Sequence, residues 1–206
     1  MARSRLTSRM RRGSGARSRY VVLALIVVVG SGAAAGDEIT AATPPALLPL
    51  ADGNRWVLRD TRGSSTATIS VVRRASGLVL RGLPGAGNIR VRARGRTVDA
   101  WDAGNGRWEP FLRLGAPAGT RYAVALSDAP LWRSLTVTVA SRTAVVRDGR
   151  GRTLRNCVRL KLVARKPVAD AAVEELVLAP GVGFVRIVEQ TIAGTRVRVL
   201  SGLRLR

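Results

Sequence analysis

The sequence after residue 50 predicts an all-β fold: an antiparallel meander curled into a sandwich or an open (half) barrel, preceded by an N-terminal signal or membrane helix. Three observations predict it. Short runs of β-type residues alternate with turn-forming pairs along the whole segment. Within several runs, apolar and polar residues alternate with a period of two, as in a strand that buries one face and wets the other. No stretch after residue 36 carries a 3.6-residue apolar period, and the nearest to one, Val168–Leu178, ends in a strand-like Val173–Leu178.

Residues 1–19 hold seven arginines and no acidic residue, and an uncharged run from Tyr20 to Gly36 follows. A basic stretch, an apolar core and the small-residue end Ala33-Ala34-Ala35 have the layout of a secretory signal peptide. An uncleaved anchor is the alternative, although the strongly apolar part, Tyr20–Val29, is short against the roughly 20 residues that a spanning helix needs. Residues 1–35 are therefore read as signal peptide or N-terminal membrane anchor. Arg11-Arg12 lacks the apolar followers of a twin-arginine signal, and translation could start at Met1 or at Met10. No cysteine stands near residue 35 for lipid attachment. Residues 36–50, rich in Ala, Thr and Pro, are read as a linker, and 51–206 as the antiparallel β-domain. The expected address is extracytoplasmic, periplasmic or secreted, with retention at the membrane if the leader stays.

The expected strands are Arg55–Asp60, Ala67–Arg73, Leu78–Leu83, Asn88–Arg94, Thr97–Trp101, Arg107–Leu114, Tyr122–Leu126, Ser134–Val139, Thr143–Arg147, Thr153–Ala164, Val173–Leu178, Gly183–Gln190 and Thr195–Leu203. Asn105-Gly106 and Asp148-Gly149 are type I′ hairpin signals. Gly63-Ser64, Ser76-Gly77 and Ala193-Gly194 are further turns. Ile89, Val91 and Ala93 alternate with Arg90, Arg92 and Arg94, and Val197 and Val199 with Arg196 and Arg198. Each valine set is expected to face the core.

Composition excludes more chemistry than it suggests. The chain has no histidine, which removes Ser-His-Asp and Cys-His catalysis and His-ligated zinc. Its single cysteine, Cys157, rules out an internal disulfide and reads as a buried thiol in an apolar strand. Of 35 basic residues seven lie in the leader, and all 13 acidic residues follow it, so the exported part carries 28 − 13 = +15. Such a charge attracts polyanions. Thirty-three of the basic residues are arginine, a bias that GC-rich coding also produces.

Arg90, Arg92, Arg94 and Arg96 fall at every second position, so one strand face is expected to carry four guanidinium groups, read either as an anion-contact face or as a solvated face of an arginine-biased chain. Gly82–Gly87 and Pro180–Gly183 lack the following helix that a phosphate cradle needs. Asp99–Gly106 lacks the ligand order and closing Glu of a calcium loop, and Glu174-Glu175 are adjacent rather than opposed. No catalytic, metal or cofactor residue is assigned.

Three fragments carry a family resemblance: Pro49-Leu50-Ala51-Asp52-Gly53-Asn54-Arg55-Trp56, then Gly151 to Cys157-Val158, then Ala179-Pro180-Gly181-Val182-Gly183-Phe184-Val185. In order and spacing they resemble a broad group of bacterial secreted proteins and lipoproteins to which no activity is attached. The chain departs from that group in lacking a lipobox cysteine and in its residues before Cys157. The resemblance implies an extracytoplasmic β-domain, and Gly53, Asn54, Trp56, Cys157, Pro180, Gly181 and Gly183 are read from their own chemistry as structural: turn residues, a tryptophan plugging the apolar face and a buried thiol.

The expected function is a non-enzymatic, exported cell-envelope protein of binding or scaffolding type, directed at an apolar ligand or lipid or at an anionic surface. The alternative is a carboxylate-dependent hydrolase acting on envelope glycans. A membrane or envelope component, anionic lipid or polysaccharide is the expected partner. Nucleic acid fits the charge but conflicts with export and with the sparse aromatics.

Overall fold

A computed structural model describes residues 46–165 and 171–206; the leader and most of the expected linker lie outside the described residues. Twelve strands form one antiparallel sheet. They are β1 (Arg55–Asp60), β2 (Thr66–Arg74), β3 (Gly77–Leu83), β4 (Gly87–Arg94), β5 (Thr97–Asp102), β6 (Arg107–Arg113), β7 (Arg121–Val124), β8 (Leu135–Arg147), β9 (Thr153–Ala164), β10 (Ala172–Ala179), β11 (Gly183–Thr191) and β12 (Gly194–Arg204). The helical candidate at Val168–Leu178 is strand β10 from Ala172 onward.

The order across the sheet is β6-β5-β4-β3-β2-β1-β12-β11-β10-β9-β8-β7. Two six-stranded meanders are thus joined by the β1–β12 ladder, whose register runs from Arg55 opposite Arg204 to Asp60 opposite Arg198. The sheet curls until its edges, β6 and β7, meet, giving a nearly closed barrel. Among the described residues no backbone ladder joins these edges. Side chains bridge the seam instead: Tyr122 Oη accepts the Arg113 N–H at 3.2 Å, and Phe111 packs on Trp132 with ring centroids 4.9 Å apart. Arg142 donates to the carbonyls of Leu114 and Ala116. Pro110 sits on edge strand β6, where its missing N–H costs no ladder bond.

Inward-facing residues of every strand join one core, with Trp56, Trp132, Phe111, Phe184 and a set of leucines fully buried. Leu48 is buried in this core too, so the end of the expected linker packs on the barrel. Such burial is the main stabilising term for a chain without disulfides.

Three local expectations are corrected. The eighth and ninth expected strands are one strand, β8. Its register shifts between Val139 and Val146 put bulges where the polar Ser141-Arg142-Thr143 interrupts the apolar alternation. Neither expected type I′ turn forms, because Asn105, Asp148 and Gly149 do not take positive φ; only Gly106 and Gly151 do. Carboxylates organise both loops: Asp102 accepts from Gly104 N–H and the Asn105 amide, and Asp148 from the N–H groups of Arg150 and Arg152.

The third correction concerns β12. Arg198 lies opposite buried Ile187, and cross-strand partners share a face. The arginine face therefore turns inward at this end, where the Arg198 side chain is only 12% exposed and pairs with Glu189. Val197 and Val199 take the other face. The alternation is real, but charge pairing decides its sense.

Candidate functional site

The hairpin β4–β5 and edge strand β6 build the face that carries the arginine series. On β4, buried Ile89 and Val91 point to the core, which turns Arg90 and Arg92 outward. Register places Arg92 opposite Asp99 and Trp101 opposite Trp108. One face therefore gathers two arginines, two tryptophans and one aspartate.

Their geometry is specific. The Arg90 guanidinium carbon lies 4.2 Å from the Trp101 ring centroid and 4.8 Å from that of Trp108. Arg92 lies 4.4 Å from Trp108, and its Nε is 3.2 Å from Asp99 Oδ2. The indoles meet edge-on at 5.6 Å. Each cation–π contact contributes about 0.5–1 kcal/mol at an exposed site. Stacking also holds the guanidinium planes, so less side-chain entropy remains to be lost when their free edges grip a planar or tetrahedral anion. Arg90 Nε is buried with no hydrogen-bond partner, and its guanidinium lies against both indole rings. Arg94 is exposed at the end of β4. Arg96 lies beyond the strand, in the turn after Gly95, where it packs on Gly115. Three of the four arginines thus sit on one strand and the fourth at its tip. The two tryptophans that order them escape a search for arginine periodicity, because register across three strands places them.

The carboxylates are mostly engaged. Glu175 stands between Arg159, at 3.6 Å, and Arg186, at 3.3 Å, while adjacent Glu174 is exposed. Asp60 pairs with Arg196, Glu109 with Arg107 and Asp148 with Arg152. Burial works against the charge of Asp102, but the hydroxyl and N–H of Ser127, the Asn105 amide and the Gly104 N–H outweigh it and hold the carboxyl below its ordinary range. Burial likewise opposes the charge of Asp148, and the Arg152 side chain and backbone with the Arg150 N–H hold its pKa down. Glu189 is the reverse case: burial raises its pKa despite Arg198 and Arg196. Among the described residues no group of three or more His, Cys, Asp or Glu could hold a metal ion.

The remaining singled-out residues form a structural knot. Trp56 Nε1 donates to Val182 O at 2.5 Å, and its ring meets Phe184 edge-on at 5.5 Å. Buried Asn54 donates to Pro49 O and accepts from Arg206 N–H, each at 2.8 Å. Gly53, Gly181 and Gly183 all take positive φ, and the Gly181 N–H donates to Ala46 O. Pro180 opens the same turn. Cys157 is buried within β9, and burial pushes its thiol pKa up, with Arg159 only partly opposing. A thiol so placed is a poor nucleophile.

A hollow of about 500 Å³ opens over β9–β11, lined by Lys161, Val163, Ala164, Glu175, Arg186 and Val188. No family model matches the chain, and no curated protein matches it. A solved structure of a protein provisionally described as a lipoprotein, from Parabacteroides distasonis ATCC 8503, is similar over 79% of this chain and 100% of that one, at 13% identity and a TM-score of 0.41. A likeness of that size carries no inference about fold or function.

Proposed function

We propose that this chain is a non-enzymatic, exported envelope protein whose β-domain makes contact with an anionic surface or polymer. The observation that carries the reading is the Arg90–Trp101–Trp108–Arg92 cluster, in which indoles order cations on the outside of the barrel. The +15 excess after the leader supplies the long-range attraction. Export rests on the basic and apolar leader, residues 1–35. The apolar-ligand reading gains less support, because large side chains from every strand join in one core. The glycan-hydrolase reading gains none from Glu175, which two arginines hold.

The test is titration of the full chain with dextran sulfate, followed by tryptophan emission. Replacing Arg90, Arg92 and Arg94 together by Gln is expected to weaken binding at least about tenfold at low salt and to flatten its salt dependence. Urea unfolding of the same variant checks that the barrel is intact. Unchanged affinity in a folded variant would remove the cluster from the proposal.

A further inference from the structure

In an up-and-down barrel every second connection falls at the same end. At one end lie the hairpin turns after Arg74, Arg94 and Arg147, the turn before Gly183, and the C-terminus. The chain also enters the barrel there: Gly53 N–H donates to Val71 O, Gly181 N–H to Ala46 O, and Arg206 N–H to Asn54 Oδ1. This proximal end exposes Arg74, Arg94, Arg96, Arg147, Arg204 and Arg206. Its carboxylates are occupied locally, Asp52 by the Arg73 N–H and Asp148 by Arg152. The distal end differs. Asp60, Asp102, Glu109, Asp128, Glu174 and Glu189 lie there, three of them paired with Arg196, Arg107 and Arg198, and they offset the exposed Arg62, Arg133 and Arg165 of that end. Positive charge is therefore polarised along the barrel axis.

Aliphatic side chains accompany the proximal arginines. Val145, Leu203 and Leu205 are large apolar residues left exposed beside Arg147, Arg204 and Arg206, while the exposed aliphatics of the distal end, Val163 and Ile192, stand at the end where the carboxylates gather. Arginine interleaved with aliphatic residues suits a lipid interface, where guanidinium groups meet phosphates and apolar side chains enter the boundary beneath. A soluble polyanion would use the charge and leave the aliphatics in water.

We infer that the proximal end of the barrel seats on a layer of anionic phospholipid headgroups. This rests on the anion-contact reading above and extends it from the Arg90–Trp101–Trp108–Arg92 cluster on the barrel wall to the proximal end, with Arg94 shared by the two surfaces. Ala46, where the described chain begins, lies at this end too, so residues 1–35, if kept as an anchor rather than cleaved as a signal peptide, would be joined to the barrel there.

The test places an environment-sensitive fluorophore on the full chain at Ser76→Cys, in the exposed proximal β2–β3 turn, or at Ile192→Cys, in the distal β11–β12 turn where Ile192 is 89% exposed. Native Cys157 is buried and escapes the label. The leader is identical in all the proteins compared, so the joint Arg-to-Gln replacement below, which leaves it intact, separates its own lipid binding from that of the barrel end. With vesicles of phosphatidylcholine and phosphatidylglycerol, the label at 76 is expected to shift to the blue and lose quenching by aqueous iodide. The label at 192 stays unchanged. High salt, and joint replacement of Arg74, Arg94 and Arg204 by Gln, abolish the response at 76. A response at 192, or equal responses at both positions, overturns the inference. A response at 76 to dextran sulfate but not to vesicles overturns the lipid surface and leaves the anion-contact reading standing. No response at 76 to either overturns the inference, and the anion-contact reading is then decided by the tryptophan titration above.

Discussion

Trp56 donates its indole N–H to the carbonyl of Val182, 126 residues further along the chain, at 2.5 Å. That bond ties the opening Gly53-Asn54-Arg55-Trp56 fragment to the late Pro180-Gly181-Val182-Gly183 turn. Two fragments that read separately in the sequence are the halves of one joint. Their glycines serve it: Gly183 takes φ +91°, and a Cβ there would stand 2.7 Å from Trp56 Nε1.

Gly183→Ala is therefore expected to destabilise the domain by about 2–4 kcal/mol, combining backbone strain with a displaced indole. Trp56→Phe removes the donor and leaves Val182 O unpaired, at about 1–3 kcal/mol. Urea unfolding measures both, and a Gly183→Ala protein as stable as wild type would disprove the joint.

The seam gives a local prediction. Asp102, on β5, accepts from the N–H and hydroxyl of Ser127, beyond β7. Asp102→Ala should speed amide exchange in 121–127 and 107–113 more than in β1 and β12, because side chains alone close that edge. Uniform acceleration along the chain would mean that the seam opens only with global unfolding.

Acid dependence follows from the depressed carboxyls. Asp102 and Asp148 have folded pKa values below their ordinary value. As pH falls past about 4, the unfolded chain takes up protons first. Stability then declines as pH drops through the folded pKa values. Asp148→Asn should lose stability at neutral pH and show a weaker decline below pH about 4. Midpoints of denaturant unfolding across pH decide it.

The Arg90–Trp101 contact can be isolated by a double-mutant cycle with Arg90→Ala and Trp101→Leu. A coupling energy of about 0.5–1 kcal/mol is expected. Zero coupling would make the stack an accident of crowding.

Export predicts its own mark on the molecule. Protein recovered from its native envelope should begin near Gly36 if the leader is cleaved after Ala35, or keep residues 1–35 embedded in the membrane. Intact mass distinguishes these, and recovery from the cytosol with a free, unprocessed leader would contradict export.

Period-two alternation and glycine-marked turns made most strands legible, since both are local consequences of pleat geometry. What was not legible depends on partners distant in sequence. The bulged continuity of β8 uses Arg142 reaching the carbonyls of Leu114 and Ala116. The inward face of β12 depends on Glu189 and Asp60 waiting to pair with Arg198 and Arg196. The loops at Asn105 and Asp148 follow carboxylate capture rather than dipeptide preference. For the candidate site, the arginine series could be read directly, but the tryptophans that order it required cross-strand register.

The pairing of β1 with β12 places the two ends of the domain at the middle of the sheet and the middle of the chain at its margins. The molecule is wired inside out relative to a barrel that closes where its chain begins and ends. New termini cut into the Leu114–Thr120 connection, with Arg206 joined through a short linker to Ala46, would turn the same barrel into a single continuous meander with its seam between first and last strands. Circular permutation at that point should preserve the fold, whereas a cut in any hairpin of either meander would sever neighbours that the sheet holds together by backbone bonds.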